Sequence, residues 1–185
     1  MNRDRLPYDF AFRSTFAAVC LAVGISLLFA GMLPCARAQG LQRYLASLRI
    51  GDTLEDIRKI YPPLKSGSSY KEPGGEIVRI EADRKESKRF PVNVSRMRLR
   101  LRKGHLVHLQ LIYDDDYSRR RSLEDLVMDY SLIYGEPRRR GEAYWWGDSS
   151  VVLRLGNIEL PAAGGVVELR LCAELIDRDL FDGRY

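Results

Sequence analysis

Apolar residues recur along this chain in two rhythms, one of about three and a half residues and one of two, and the places where the rhythm changes predict its elements. The first helical stretch follows Gly51-Asp52-Thr53. Leu54, Ile57, Ile60 and Tyr61 fall on one face of a helix there. Asp52 or Thr53 supplies the N-cap, because Glu55 and Asp56 stand three residues after them in the reciprocal arrangement of a capping box. Pro62-Pro63 stops the helix by pushing the preceding residue out of the α region. A second helix begins at Ser122 as cap, carries Glu124 and Asp125 at its positive end, and shows the stripe Leu123, Leu126, Val127, Tyr130, Ile133 and Tyr134. Gly135 offers a left-handed C-cap, and Pro137 forbids continuation.

Period-two stretches follow each helix. Residues 76–83 alternate with Val78, Ile80 and Ala82 on one side, and residues 95–113 read as a hairpin. Its inward rows are Met97, Leu99 and Leu101 on one strand, and Val107, Leu109, Leu111 and Tyr113 on the other. A plain two-residue turn at Lys103-Gly104 pairs Leu99 with His108 and mixes the two faces. One extra residue in a bulge at Gly104 realigns them, so a bulge is expected there. After the second helix, residues 142–146, 150–155 and 166–175 repeat the alternation, with Val151, Leu153 and Leu155 facing Val167, Leu169, Leu171, Ala173 and Leu175. The expected fold class is α+β, built from tandem helix-plus-three-stranded antiparallel sheet units with the helices packed on one sheet face. The units are residues 39–117 and 118–185, packed together.

The helix entry RIGDTLEDIRKIYPP resembles that of the SmpA/OmlA (BamE) envelope proteins, with Asp52 where that family has methionine and the Gly-x-Pro exit present as Gly135-Glu136-Pro137 in the second stretch. The tandem helix-and-sheet pattern resembles the beta-lactamase inhibitor protein fold. The resemblance implies an envelope or secreted protein that binds other proteins without catalysis, in the periplasm of a Gram-negative bacterium.

The N-terminus agrees with export. Arg3, Arg5 and Arg13 precede an uncharged run over residues 14–35 that ends at Ala36-Arg37-Ala38, the layout of a signal peptide over residues 1–38. The apolar part is also long enough to span a bilayer, so a retained membrane anchor is the alternative. Cys35 follows Pro34, which fits a lipidated cysteine poorly. The net charge of +5 falls to +3 once four arginines and two aspartates leave with the leader. Cys172 is then the only thiol, so the mature chain closes no internal disulfide and must be held by packing.

The arginine ladder Arg96, Arg98, Arg100 and Arg102 occupies the outward positions opposite Met97, Leu99 and Leu101, and His108 and Gln110 lie beside it on the next strand. This face reads either as a solvated surface, partly neutralised by Glu81, or as a binding face for an acidic protein or anionic lipid headgroups. Nucleic acid is not expected for an exported chain. Trp145 and Trp146 point to opposite strand faces, so one of them enters the core; Tyr144 lies on the face of Trp146, and these two are the candidate partner anchor. Asp114-Asp115-Asp116 runs into Arg119-Arg120-Arg121 and reads as a solvated turn rather than a calcium loop. His105 and His108 do not converge on a metal, and no cofactor motif is present. An enzyme using Cys172 or His108 is a distant alternative, because Cys172 falls on a polar row with Glu168, Arg170 and Glu174.

Overall fold

Capping chemistry starts the helices where the sequence places them. In the computed structural model, which describes residues 41–182 apart from 42, 43, 63, 66, 73, 74 and 88, helix α1 spans Leu54–Ile60. Its cap is Thr53: Asp56 N donates to Thr53 Oγ1 at 3.2 Å, while the Asp56 carboxylate accepts from the Thr53 hydroxyl and backbone N–H. Asp52 is used differently. It accepts from Arg49 N at 2.8 Å, closing the turn after a small hairpin of β1 (Tyr44–Leu45) and β2 (Leu48–Arg49). The leader, Cys35 and the anchor segment at 14–33 lie outside the described residues. Among the described residues no helix is long and apolar enough to cross a membrane.

Strands β3 (Ser68–Glu72), β4 (Gly75–Asp83), β5 (Val94–Arg102) and β6 (His105–Tyr113) form one antiparallel meander. Short helix α2 (Asp115–Arg120) and then α3 (Leu123–Tyr134) lead to a second meander: β7 (Arg138–Arg140), β8 (Ala143–Gly147), β9 (Val151–Pro161) and β10 (Val167–Asp177). A last turn of helix, α4, covers Arg178–Phe181. The two meanders join where β10 pairs with β6, which gives one eight-stranded sheet ordered β3-β4-β5-β6-β10-β9-β8-β7.

That single sheet overturns the expected tandem helix-plus-three-stranded units. The described residues form one compact unit, and the boundary placed at 117/118 falls inside α2. Two strands escaped the reading because neither carries an apolar row: β3 reads Ser-Ser-Tyr-Lys-Glu and β7 is three arginines. Both are edge strands, where charge and polarity are common because they discourage pairing with other chains. The Asp114 run also proves to be more than a turn. Asp114 caps α2, accepting from Tyr117 N at 2.7 Å, and Arg119 pairs with Asp115 at 2.9 Å.

One sheet face carries the core. Ile80, Met97, Leu99, Leu109, Leu111, Leu153, Leu155, Ala173 and Leu175 belong to a continuous buried cluster with Ile57 and Tyr61 of the α1 region and Leu123, Leu126 and Val127 of α3. Full burial of such side chains contributes about 1.5–3 kcal/mol each, which is the main force holding sheet to helices. Ile133, expected in the α3 stripe, is exposed together with Met128 and Leu132. At 100° per residue it lies at the rim of the stripe, roughly 75° from its centre, and Tyr130 and Tyr134 take the core side by packing on Trp146.

The β5–β6 register contains the expected extra residue, but not at Gly104. Lys103 (φ 50°) and Gly104 (φ 81°) make a regular two-residue turn closed by Arg102 opposite His105. The pairing then passes from Leu101 opposite Leu106 to Arg100 opposite His108, so Val107 is the residue left over. A left-handed pair at the turn already matches the twist of the strands, and the mismatch is absorbed two residues further on.

Candidate functional site

On the other sheet face, the registers set up a polar row that crosses seven strands. Glu81 of β4 lies opposite Arg98 of β5, Arg98 opposite Gln110 of β6, and Gln110 opposite Glu174 of β10. Glu174 in turn faces Arg154 of β9, which faces Trp145 of β8 and, beyond it, Arg138 of β7. The contacts follow the register. Arg98 meets Glu81 at 3.4 Å and donates to Gln110 Oε1 at 3.4 Å; Gln110 donates to Glu174 at 2.5 Å; Arg154 pairs with Glu174 at 2.8 Å. At the far end the Arg138 guanidinium sits 5.1 Å from the Trp145 ring centre, a cation–π contact, and Phe181 of α4 packs on the same ring at 6.1 Å.

All four ladder arginines are on this face, but they are not equivalent. Arg96 pairs with Glu81 at 3.0 Å and its side chain is 36% exposed; Arg98 is 32% exposed. Arg100 is more covered and places one terminal nitrogen 2.8 and 3.0 Å from the two oxygens of Glu72, and Arg102 is buried with the same carboxylate at 3.6 Å. Glu72 comes from the unanticipated strand β3, so the sequence reading overstated how bare the ladder is.

His108 lies opposite Arg100, which lies opposite Arg79. Burial pushes the His108 imidazole below its ordinary value; Arg100, Arg154 and Arg79 push the same way, and Glu174 opposes them. The ring is therefore neutral at neutral pH. Neither His108 Nε2 nor Arg100 Nε, both buried, has a hydrogen-bond partner among the described residues. Arg79 stacks 5.2 Å over the Tyr70 ring and donates to its hydroxyl at 3.4 Å.

Cys172 sits on this face between Ile112 and Gly156, buried and free. Burial, reinforced by Glu174, holds its thiol up at about 12, so it stays protonated and is a poor nucleophile at neutral pH. The partner-anchor expectation for Trp146 is corrected: the side chain is 4% exposed, its Nε1–H donates to Gly135 O at 2.7 Å, and it belongs to the core. Tyr144 on the same side is half-buried against that core, with Arg139 5.3 Å from its ring. The accessible indole is Trp145.

Arg79 and Arg154 were also missed, and Glu174 was read only as a neighbour of Cys172 on a polar row. Each stands between two apolar residues of a strand, Val78 and Ile80, Leu153 and Leu155, or Ala173 and Leu175, so the outward parity was available but not the pairing across strands. Among the described residues no group of three or more His, Cys, Asp or Glu side chains is placed to hold a metal ion. Comparisons with protein-family models, curated proteins and solved structures each return no match.

Proposed function

We propose that this is an exported, non-catalytic binding protein that docks an acidic surface of an envelope or secreted protein on its outer sheet face. The observation that carries this reading is the polar row itself. Its arginines are oriented by carboxylates, yet Arg96, Arg98 and Arg154 keep 36%, 32% and 43% of their side chains exposed. Oriented, half-desolvated guanidiniums lose less freedom on meeting a carboxylate than fully solvated ones do. Across this part of the face, Arg79, Arg96, Arg98, Arg100, Arg102 and Arg154 outnumber Glu72, Glu81, Asp83 and Glu174, so its sign is positive.

The alternative, a chain that keeps residues 14–33 as a membrane anchor, leaves the same domain and the same face; sequencing the mature N-terminus separates the two. A thiol enzyme draws no support from a protonated, buried Cys172. Reversing the exposed charges tests the docking reading. The Arg96→Glu/Arg98→Glu variant should lose at least about fivefold in retention on isolated envelopes, and wild-type retention should fall as salt rises from about 0.05 to about 0.5 M, as screening requires. Retention indifferent to both changes contradicts the proposal.

A further inference from the structure

We propose that Arg79, Arg100 and His108 form a site for a single oxyanion, a carboxylate or phosphate group. Its biological ligand rests on the outer-face reading above, whereas its capacity to hold an anion can be measured without it.

Arg79 and Arg100 are directly opposite on β4 and β5, and like charges in that relation destabilise a strand pair. The neighbouring carboxylates do not dissolve the conflict. Glu72 engages Arg100 through one terminal nitrogen only, and the contacts of Arg79 are a tyrosine hydroxyl and a tyrosine ring. An anion between the two guanidiniums converts the repulsion into two attractions.

Among the described residues, Arg100 Nε and His108 Nε2 are buried without a hydrogen-bond partner on adjacent strands, in one cross-strand pair. A buried polar atom left unsatisfied costs more than a typical hydrogen bond returns; Arg100 Nε–H lacks an acceptor, and the His108 nitrogen beside it, once protonated, donates to the same acceptor. Strands are about 4.8 Å apart, so Arg79 and His108 are roughly 10 Å apart at the backbone, a span that a guanidinium and an imidazole close around one small anion. Arg100 stands between them.

His108 links this site to pH. The groups that bear on it are Arg79 from β4, Arg100 from β5, Glu174 from β10 and Arg154 from β9. Burial disfavours a charged ring most, and three of these groups are cations that add to it, so the imidazole titrates low in the empty site. An oxyanion beside it favours the imidazolium, and by linkage the affinity for the anion rises as pH falls.

The chain has two histidines, which supplies an internal control. His105 is exposed at the β5–β6 turn, with Nδ1 3.0 Å from Gly51 O. Ring-nitrogen NMR of the purified exported protein, titrated in separate arms with inorganic phosphate, acetate, and vesicles of phosphatidylglycerol or phosphatidylcholine, should show a saturable shift of His108 and none of His105. Saturation by phosphate or acetate identifies a free oxyanion as sufficient; saturation by phosphatidylglycerol vesicles alone identifies a lipid headgroup as its source. Arg79→Gln, which leaves the Arg100–Glu72 pair in place, should weaken the response at least about tenfold, the scale of one charge-assisted hydrogen bond. Equal shifts of both histidines, or no saturation in any arm, overturn the proposal. The Arg96→Glu/Arg98→Glu variant keeps the His108 response even where envelope retention is lost, which distinguishes failure of this site from failure of the docking reading.

Discussion

His108 makes its environment measurable through stability. Its folded value lies below the ordinary histidine value near 6.5, so in the window between the two the unfolded chain binds the proton and the folded chain does not. Folding stability contributed by this residue is therefore present above about 6.5 and is lost as pH falls through that window. Urea unfolding at about pH 7.5 and about pH 5 should show a smaller acid loss in His108→Gln than in the wild type, by about 1 kcal/mol for each unit of depression. The same acid loss in both proteins excludes His108 as its source. The low titration follows mainly from burial, with three arginines adding to it; the place of His108 beside the ladder was legible, but its burial and the approach of Arg79 and Arg154 from other strands were not. The positions of Arg96, Arg98, Arg100 and Arg102 were legible, since strand parity alone puts them outward. Glu72, the partner of Arg100 and Arg102, was not, because it reaches the ladder from edge strand β3, which carries no apolar row.

At the scale of elements, local chemistry explains what could be read. Thr53 and Ser122 each cap a helix through the same reciprocal pair with the aspartate three residues on, and both helices start where the capping residues place them. Thr53→Ala and Ser122→Ala should each cost about 1 kcal/mol in chemical denaturation, the usual worth of a cap. A cost under about 0.3 kcal/mol at either position means that tertiary packing, not the cap, fixes that helix start. Strands with one apolar row were equally legible. Strands β3 and β7 were not, because a sheet edge needs backbone pairing on one side only and these two carry no inward row. The location of the β5–β6 bulge also escaped the sequence: any one-residue slip restores the apolar rows, and backbone twist at Lys103-Gly104 decides where it falls.

For the domain as a whole, the eight-stranded sheet separates two environments. The helix side holds the core and exposes an apolar patch on α3, where Leu132 is 85% exposed. The outer side carries the row from Glu81 to Arg138. The pairing of β6 with β10 makes that row continuous, and because it joins segments more than sixty residues apart, no periodicity along the chain announces it. The proposed docking puts function on the outer side. Its most direct test is site-specific photocrosslinking in envelopes, with a photoreactive residue at position 98 in one variant and at position 132 in another. Docking on the outer side gives a discrete adduct from position 98, abolished when Arg96 is changed to Glu, and none from position 132. Adducts from position 132 alone would place docking on the helix side and contradict it.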